Sequence, residues 1–477
     1  MSRIYLILFF ICILYNNQTI QAQEYHAIHG SPYAGAASIF NNPAAGINSI
    51  YKWDLNLFSF QTTVAANHLT LLNTSFTNPS NAVLSFDEGS NSHYAHQNLD
   101  LNLFSFQYKI DENKAFSIGF RGRMYNHAKT SPIIGNDTIT SNLSFLKANR
   151  TTPFIDGYFT HAGWLETNLN YSQVLYESKT QRLTGGISLN LLKGISGAYG
   201  KLNKISVAEF VNNGVDTGYT LVRGGLNYAY SSNYDNPTAN ISSTQLVKSF
   251  LKNSLSRIGI SMGMEYSIYN DDINDRLSNN PINYSWKIGL SIMDIGHNTF
   301  KPSEYAGNFY TPQTNITDAI VGDKFSNIPA IDAFRDSLKT MFQNYEALTS
   351  NFTISTPTRI ILNVDKNLGN HFAVNTELNM NLFSTANYAK LLTRELNLLT
   401  VTPRWETIFL GCYMPIQYNT QGNLWIGAAL KFGPLTIGLH DISWTKKISS
   451  INGGGYILFS LHPFNTKKVI NRFDCPE

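Results

Sequence analysis

The sequence predicts an all-β fold: a transmembrane antiparallel β-barrel of about 14 to 16 strands with an N-terminal plug segment. Three observations predict it. Apolar and polar residues alternate with period two along most of the chain. Charged residues are scarce. An export leader is followed by no stretch apolar enough for a membrane helix.

The alternation comes first because it sets the architecture. Phe116, Ile118, Phe120 and Met124 fall on one face of a strand, and Ser117, Gly119, Arg121, Arg123 and Tyr125 on the other. Ile258, Ile260, Met262 and Met264 alternate with Gly259, Ser261, Gly263 and Glu265. Phe372, Val374, Leu378 and Met380 alternate with Asn375, Glu377 and Asn379, and Leu424, Ile426, Ala428 and Leu430 with Trp425, Gly427, Ala429 and Lys431. Successive side chains of a strand point to opposite faces, so one face meets an apolar phase and the other suits a hydrated lumen. The segments run about 10 to 15 residues, enough for tilted membrane strands of about 9 to 11. Connections differ in length. Ile110 to Lys114, Glu177 to Arg182 and Lys366 to Asn370 are tight, whereas Ala128 to Gly163, Ser231 to Ser256 and His297 to Asn351 are long, as for periplasmic turns and extracellular loops.

Composition agrees. Charged residues make up 14% of the 477 and aromatics 13%, and the mean hydropathy is −0.16. A soluble domain carries about 25% charge, and a helical membrane bundle is more apolar. The formal charge of +3 is too small and too scattered for a nucleic-acid partner.

The chain divides into four parts. Residues 1–22 read as a secretory signal: Arg3, an apolar run from Ile4 to Tyr15, then polar residues with expected cleavage after Ala22. That run is shorter than the about 20 residues a membrane helix needs. Residues 23–50 form the plug-like segment, 51–464 the barrel, and 465–477 a polar periplasmic tail. Gly455 to Phe464 reads as the last strand, ending on an aromatic. The surroundings expected are bacterial outer-membrane lipid and the barrel-assembly machinery. Of three cysteines, Cys412 reads as a small strand residue and Cys475 as a thiol in the tail; no disulfide framework is possible.

Two local features stand out. The octapeptide Asp54 to Gln61 returns unchanged at Asp100 to Gln107, with a partial relative at Asn379 to Ser384. In the longest loop, after Pro329, the residues Ile331, Phe334, Leu338, Met341 and Phe342 form an apolar stripe at helical spacing. That helix is expected to cap the barrel mouth or to bind a ligand or partner.

The chain offers no G-x-S-x-G elbow, H-E-x-x-H helix, Walker loop or dinucleotide fingerprint, so neither an enzyme nor a cofactor is expected. His93 with His96, or His26 with His29, would make only an incomplete metal site. Asp87 and Glu88 share a loop with His93. The candidate plug residues are Asn41, Asn42, Pro43 and Ala44. Asn side chains bond to wall groups, and Pro43 discourages a regular strand. Arg121, Arg123, Glu265, Lys287, Glu377, Asn379 and Lys431 fall on polar strand faces. They are either a salt-bridged, hydrated interior or a lumen that orients an anionic solute.

Gly30-Ser31-Pro32-Tyr33-Ala34-Gly35-Ala36-Ala37-Ser38-Ile39-Phe40-Asn41-Asn42-Pro43-Ala44-Ala45-Gly46 resembles the N-terminal segment of the long-chain fatty-acid transporter-like barrels, where an Asn-Pro-Ala-Gly motif ends a plug. Here the motif carries one extra Ala. The same group includes a shuttle protein of the Bacteroidetes type IX secretion system. Thr402-Pro403-Arg404-Trp405-Glu406 and Phe432-Gly433-Pro434-Leu435 resemble the end of an uncharacterised Bacteroidetes outer-membrane family. The resemblance implies a barrel and no established substrate. Two functions follow as expectations: a plugged transporter for a small hydrophobic or amphipathic solute, or a structural barrel that holds secretion-system or envelope partners.

Overall fold

The structure is a computed structural model that describes residues 27–72, 83–136, 139, 141–212, 216–235, 251, 254–269, 284–314, 316–325, 331–383, 390–419, 422–445, 449–450 and 452–463. The expected signal, His26, Phe464, Cys475 and the tail lie outside the described residues.

Fourteen antiparallel strands close a barrel. They are β1 (Trp53–Ala66), β2 (Ser90–Lys109), β3 (Lys114–Ile134), β4 (Ile155–Glu177), β5 (Gln181–Asn212), β6 (Ser256–Tyr269), β7 (Tyr284–Ile295), β8 (Arg359–Gly369), β9 (Phe372–Asn381), β10 (Leu398–Glu406), β11 (Leu410–Tyr413 with Ile416–Asn419), β12 (Leu424–Ile426 with Ala428–Phe432), β13 (Leu435–Leu439) and β14 (Gly453–Leu461). Each pairs with its neighbours in sequence, and β14 returns to β1 with Leu461 opposite Leu55. Closure gives each of these strands a partner on both sides.

The alternation sorts side chains as their polarity requires. Leu57, Leu103, Phe120, Leu165, Leu189, Met262, Leu290 and Leu430 are exposed on the outside, where a membrane embeds them. Trp53, Tyr108, Tyr171, Trp286, Phe372 and Phe432 are exposed near the short-turn end, an aromatic girdle of the kind that lies at a lipid–water boundary. Cys412 is exposed on β11.

Period two breaks in one place that the sequence repeats. In the first octapeptide Asp54, Asn56, Ser59 and Gln61 are buried, while Leu57 and Phe58 are both exposed. The register slips there between Asn56 and Phe58, a β-bulge. The second copy slips at the matching place, between Asn102 and Phe104. The two copies also face each other across β1 and β2: Asp54 opposite Gln107, Asn56 opposite Ser105, Gln61 opposite Asp100. They are related by a local two-fold. The third relative leaves the wall at Asn381.

The strands run further than the sequence suggests. β3 continues to Ile134 and β4 starts at Ile155, so strand takes up both ends of the connection expected from Ala128 to Gly163. β5 pairs with β6 from Gln181 to Lys193. Beyond that it pairs with an outer strand, Asp216–Tyr230, which continues through Gly307–Pro312 to Phe342–Ala347. The expected helix spans Ile331–Met341. Leu338 and Met341 bury against Tyr228, Phe309 and Phe342 of this outer sheet. The stripe therefore packs on the extension instead of capping the barrel mouth, because the extension supplies the nearer apolar surface. A second departure lies inside the bore, where His297–Phe300 pairs with Phe352–Ser355. The chain reaches it by leaving the wall at Asp294, whose φ is 55°. That left-handed conformation is costly for a residue other than glycine. The Asp294 carbonyl accepts bonds from the hydroxyls of Thr356 (2.6 Å) and Thr358 (2.9 Å), which hold the bend.

Candidate functional site

Residues 27–50 lie within the barrel and touch its wall on nearly every side. Two short helical turns, Gly35–Phe40 and Ala45–Asn48, make the segment compact. The Ala36 N–H donates to Asp54 on β1 (2.8 Å), and Gln107 on β2 donates to the Gly46 carbonyl (2.8 Å). Asn170 on β4 donates to the Pro43 carbonyl (3.0 Å), and Asn48 to Thr184 on β5 (3.0 Å). Asn42 donates to the Met264 carbonyl on β6 (3.0 Å). Ser291 on β7 donates to the Asn41 carbonyl (2.8 Å), and Lys287 on β7 to that of Gly30 (2.7 Å). Asn41 and His29 both reach Glu377 on β9 (2.9 Å each), and Ser31 donates to Glu406 on β10 (2.7 Å). The Lys431 ammonium on β12 stands 4.9 Å over the Tyr33 ring.

Close approach needs small wall residues as well as a small segment. A Cβ at Gly186 would stand 2.2 Å from the Pro43 carbonyl oxygen, and one at Gly263 would stand 2.1 Å from the Asn42 side chain. Those glycines keep the bore wide where Asn42 and Pro43 press against it. Ala44 is fully buried beside them. A cleft remains between the segment and the wall, lined by His29, Gly30, Asn41, Asn42, Glu265, Lys287 and Asn363.

Outward of this segment lies a layer of charge. β3 carries Arg121, whose guanidinium stacks 3.9 Å over the Phe40 ring and pairs with Glu166. Two residues further out, Arg123 meets Asp100 (2.8 Å), Asp294 (3.0 Å) and Glu166 (3.4 Å). Arg359 meets Asp294 at 2.6 Å. Tyr125 donates to Glu395, which also accepts from Asn98 (2.8 Å). Three guanidinium groups and four carboxylates are thus gathered in one buried layer. Burial of charge is tolerable only when it is paired in this way. A second group near the short-turn end joins Arg404 to Asp365 (2.6 Å) and Glu406 (2.7 Å).

Beyond the charge layer the interior turns apolar. Tyr125, Trp164, Leu192 and Tyr199 of the wall pack against Phe300, Phe352 and Ile354 of the inward sheet. Tyr125 stacks on Trp164 with ring centroids 5.3 Å apart.

The seven polar wall candidates from the sequence are all buried and inward. Glu265 pairs with Lys287 (3.1 Å). Both amide atoms of Asn379 are buried without a hydrogen-bond partner. The structure does not bring them to one point; it spreads them over the layers above. Sequence reasoning passed over Asp100, Glu166, Asp294, Arg359 and Glu395. Asp100 and Glu166 sit on inward positions of alternating strands and were findable. His93 and His96 are not brought together. Three positions apart on a strand, they fall on opposite faces: His96 is inward and buried, while His93 ends 5.9 Å from the His68 ring. Asp87 and Glu88 are exposed in an outer loop, where Asp87 meets His68 (3.2 Å). Among the described residues, no group of three or more His, Cys, Asp or Glu side chains is placed to hold a metal ion.

The model of a family of unknown function (DUF5723) matches residues 43–440, and the chain belongs to that family. No curated protein matches it. Among solved structures it is similar to a Pseudomonas aeruginosa FadL homologue (10% identity, TM-score 0.43, covering 93% of this chain and 99% of that one). It is also similar to the P. putida toluene transporter TodX (9%, 0.41, 90% and 95%) and the Ralstonia pickettii toluene transporter TbuX (10%, 0.38, 90% and 94%).

Proposed function

We propose that this DUF5723 barrel is an outer-membrane transporter for a small hydrophobic or amphipathic solute, with residues 23–50 as its plug. The supporting observation is the apolar cluster of Trp164, Leu192, Tyr199 and Phe352 packed inside the bore. A water-filled pore has a polar interior, whereas this one places aromatic and aliphatic surface in the bore, outward of a segment that many single hydrogen bonds tie to the wall. Polar bonds exchange readily for water when a segment moves, since each contributes only about 0.5–1.5 kcal/mol net. In this reading residues 1–22 direct export, and the barrel-assembly machinery inserts the mature chain in the outer membrane. The test uses proteoliposomes of the mature chain and of a variant lacking Gln23–Gly46. An alkylbenzene probe should enter faster than a sugar of equal size, and the deletion should raise both single-channel conductance and probe entry. Equal entry of both probes, or conductance unchanged in a folded deletion variant, would sink the reading.

A second reading is favoured by one observation: the bore is filled at two levels, by the plug and by the inward sheet. A barrel closed twice suits a scaffold that holds envelope or secretion partners with its loops and tail. Recovery of a stoichiometric envelope protein from detergent-solubilised membrane, together with no probe entry, would favour it.

A further inference from the structure

The register places two histidines together that the sequence keeps thirty-one positions apart. His96 on β2 stands directly opposite His127 on β3. Both point into the barrel and are 2% and 3% exposed. Their ring centroids are 6.0 Å apart, with the planes tilted by 60°. All four ring nitrogens are buried, and none has a hydrogen-bond partner. Buried polar groups are normally bonded, so four such atoms in one cross-strand pair call for a ligand. Around them stand the Tyr158 ring, 5.5 Å from that of His127, and the Tyr94 ring at 6.4 Å. The charges that act on the pair come from Arg394 and Lys129. Thr160 of β4, opposite His127, donates to the Leu392 carbonyl (3.0 Å).

We propose that His96 and His127 bind one transition-metal ion of low charge, with Cu(I) as the best fit. A neutral imidazole offers one nitrogen lone pair. A metal–nitrogen bond of about 2 Å puts the ring centroid about 3 Å from the ion, so two rings bound to one ion in a linear arrangement stand about 6 Å apart. That is the separation here. Calcium and magnesium require several oxygen ligands, and the charges acting on the rings include no carboxylate. The positive charges of Arg394 and Lys129 oppose a divalent ion more than a univalent one. A d10 univalent ion is satisfied by two neutral nitrogen donors, whereas zinc takes four ligands. The site is independent of whether the barrel transports anything.

The experiment titrates the full mature chain in detergent with Cu(I), kept reduced under argon, against a bicinchoninate competitor. One equivalent per chain is expected. His96→Gln and His127→Gln should each weaken binding by more than the about 10–100-fold that loss of an outer-shell partner costs. His93→Gln, on the opposite strand face, should leave it unchanged. Heat-modifiable migration checks that each variant is folded. Should a variant fail to fold, X-ray absorption of the copper-loaded wild type decides, and two imidazole scatterers are expected. Substoichiometric binding to folded wild type, retention in folded His96→Gln and His127→Gln, or absence of imidazole scattering overturns the site. Zinc binding tighter than Cu(I) in the same titration overturns the univalent assignment.

Discussion

The plug and the apolar cluster outward of it are buried in the same bore, but they meet the wall through different balances of polar and apolar contact. Residues 27–50 are tied to the wall by nine hydrogen bonds spread over eight strands, at 2.7–3.0 Å, and Ala27, Ile28, Ala34 and Ala37 also pack on Tyr413, Tyr456 and Leu458. The outward cluster is aromatic packing over a shared layer of ion pairs. Dispersed polar bonds can be replaced by water one at a time. Packed rings over a charge layer are lost together or not at all. The difference predicts which part of the interior moves: the inner segment is a removable piece, and the outer layers belong to the wall.

The largest test strikes the charge layer. Arg123→Met leaves Asp100, Asp294 and Glu166 facing one another without their shared cation. We expect a loss of about 3–5 kcal/mol in urea unfolding of the folded barrel, the usual cost of breaking a buried pair. A loss under about 1 kcal/mol would mean that the layer is hydrated and does not weld the wall. Trp164→Ala should also cost about 3–5 kcal/mol if the apolar cluster is a packed core. A near-neutral result, combined with faster probe entry, would make this region an open passage and erase the contrast drawn here.

The next test moves only the plug. Gly186→Val drives a side chain into the Pro43 carbonyl, at a cost of about 1–3 kcal/mol for overpacking. Protease cleavage within residues 27–50 should rise while the barrel's heat-modifiable migration stays the same. Loss of the whole barrel would show that plug and wall fold as one unit. The smallest effect belongs to Asp54→Asn, which weakens the bond from Ala36 (2.8 Å). About 1 kcal/mol is expected, read as faster hydrogen exchange at the Ala36 amide and not as a shift in barrel unfolding.

Much of the wall was legible because a barrel writes itself into period two. The inward position of Arg121, Glu265 or Glu377 follows from the residues beside it, and the strand count of fourteen falls within the expected range. What stayed hidden depends on contacts between distant positions. The bulge at Leu57 and Phe58 violates the period with two apolar residues in a row, a pattern that reads equally well as a strand end. The inward sheet of His297–Phe300 and Phe352–Ser355 looks like any other strand pair, since its apolar side chains face a protein interior instead of lipid. His96 was matched to His93 by nearness in sequence, whereas the register supplies His127. The carboxylates that neutralise Arg123 come from β2, β4 and the end of β7, and no local pattern announces that they converge.

The duplicated octapeptide has a consequence for biogenesis. Because Asp54–Gln61 and Asp100–Gln107 are identical and pair about a two-fold, the segment is complementary to itself. Strand β1 waits for its second partner until β14, at the far end of the barrel sequence, arrives. During that interval its open edge displays a sequence that another newly made chain also carries. An unpaired edge of this kind templates association between chains. Slow closure of this barrel therefore favours pairs of chains joined through β1, and whatever shields that edge before β14 docks determines how much protein reaches the membrane as a monomer.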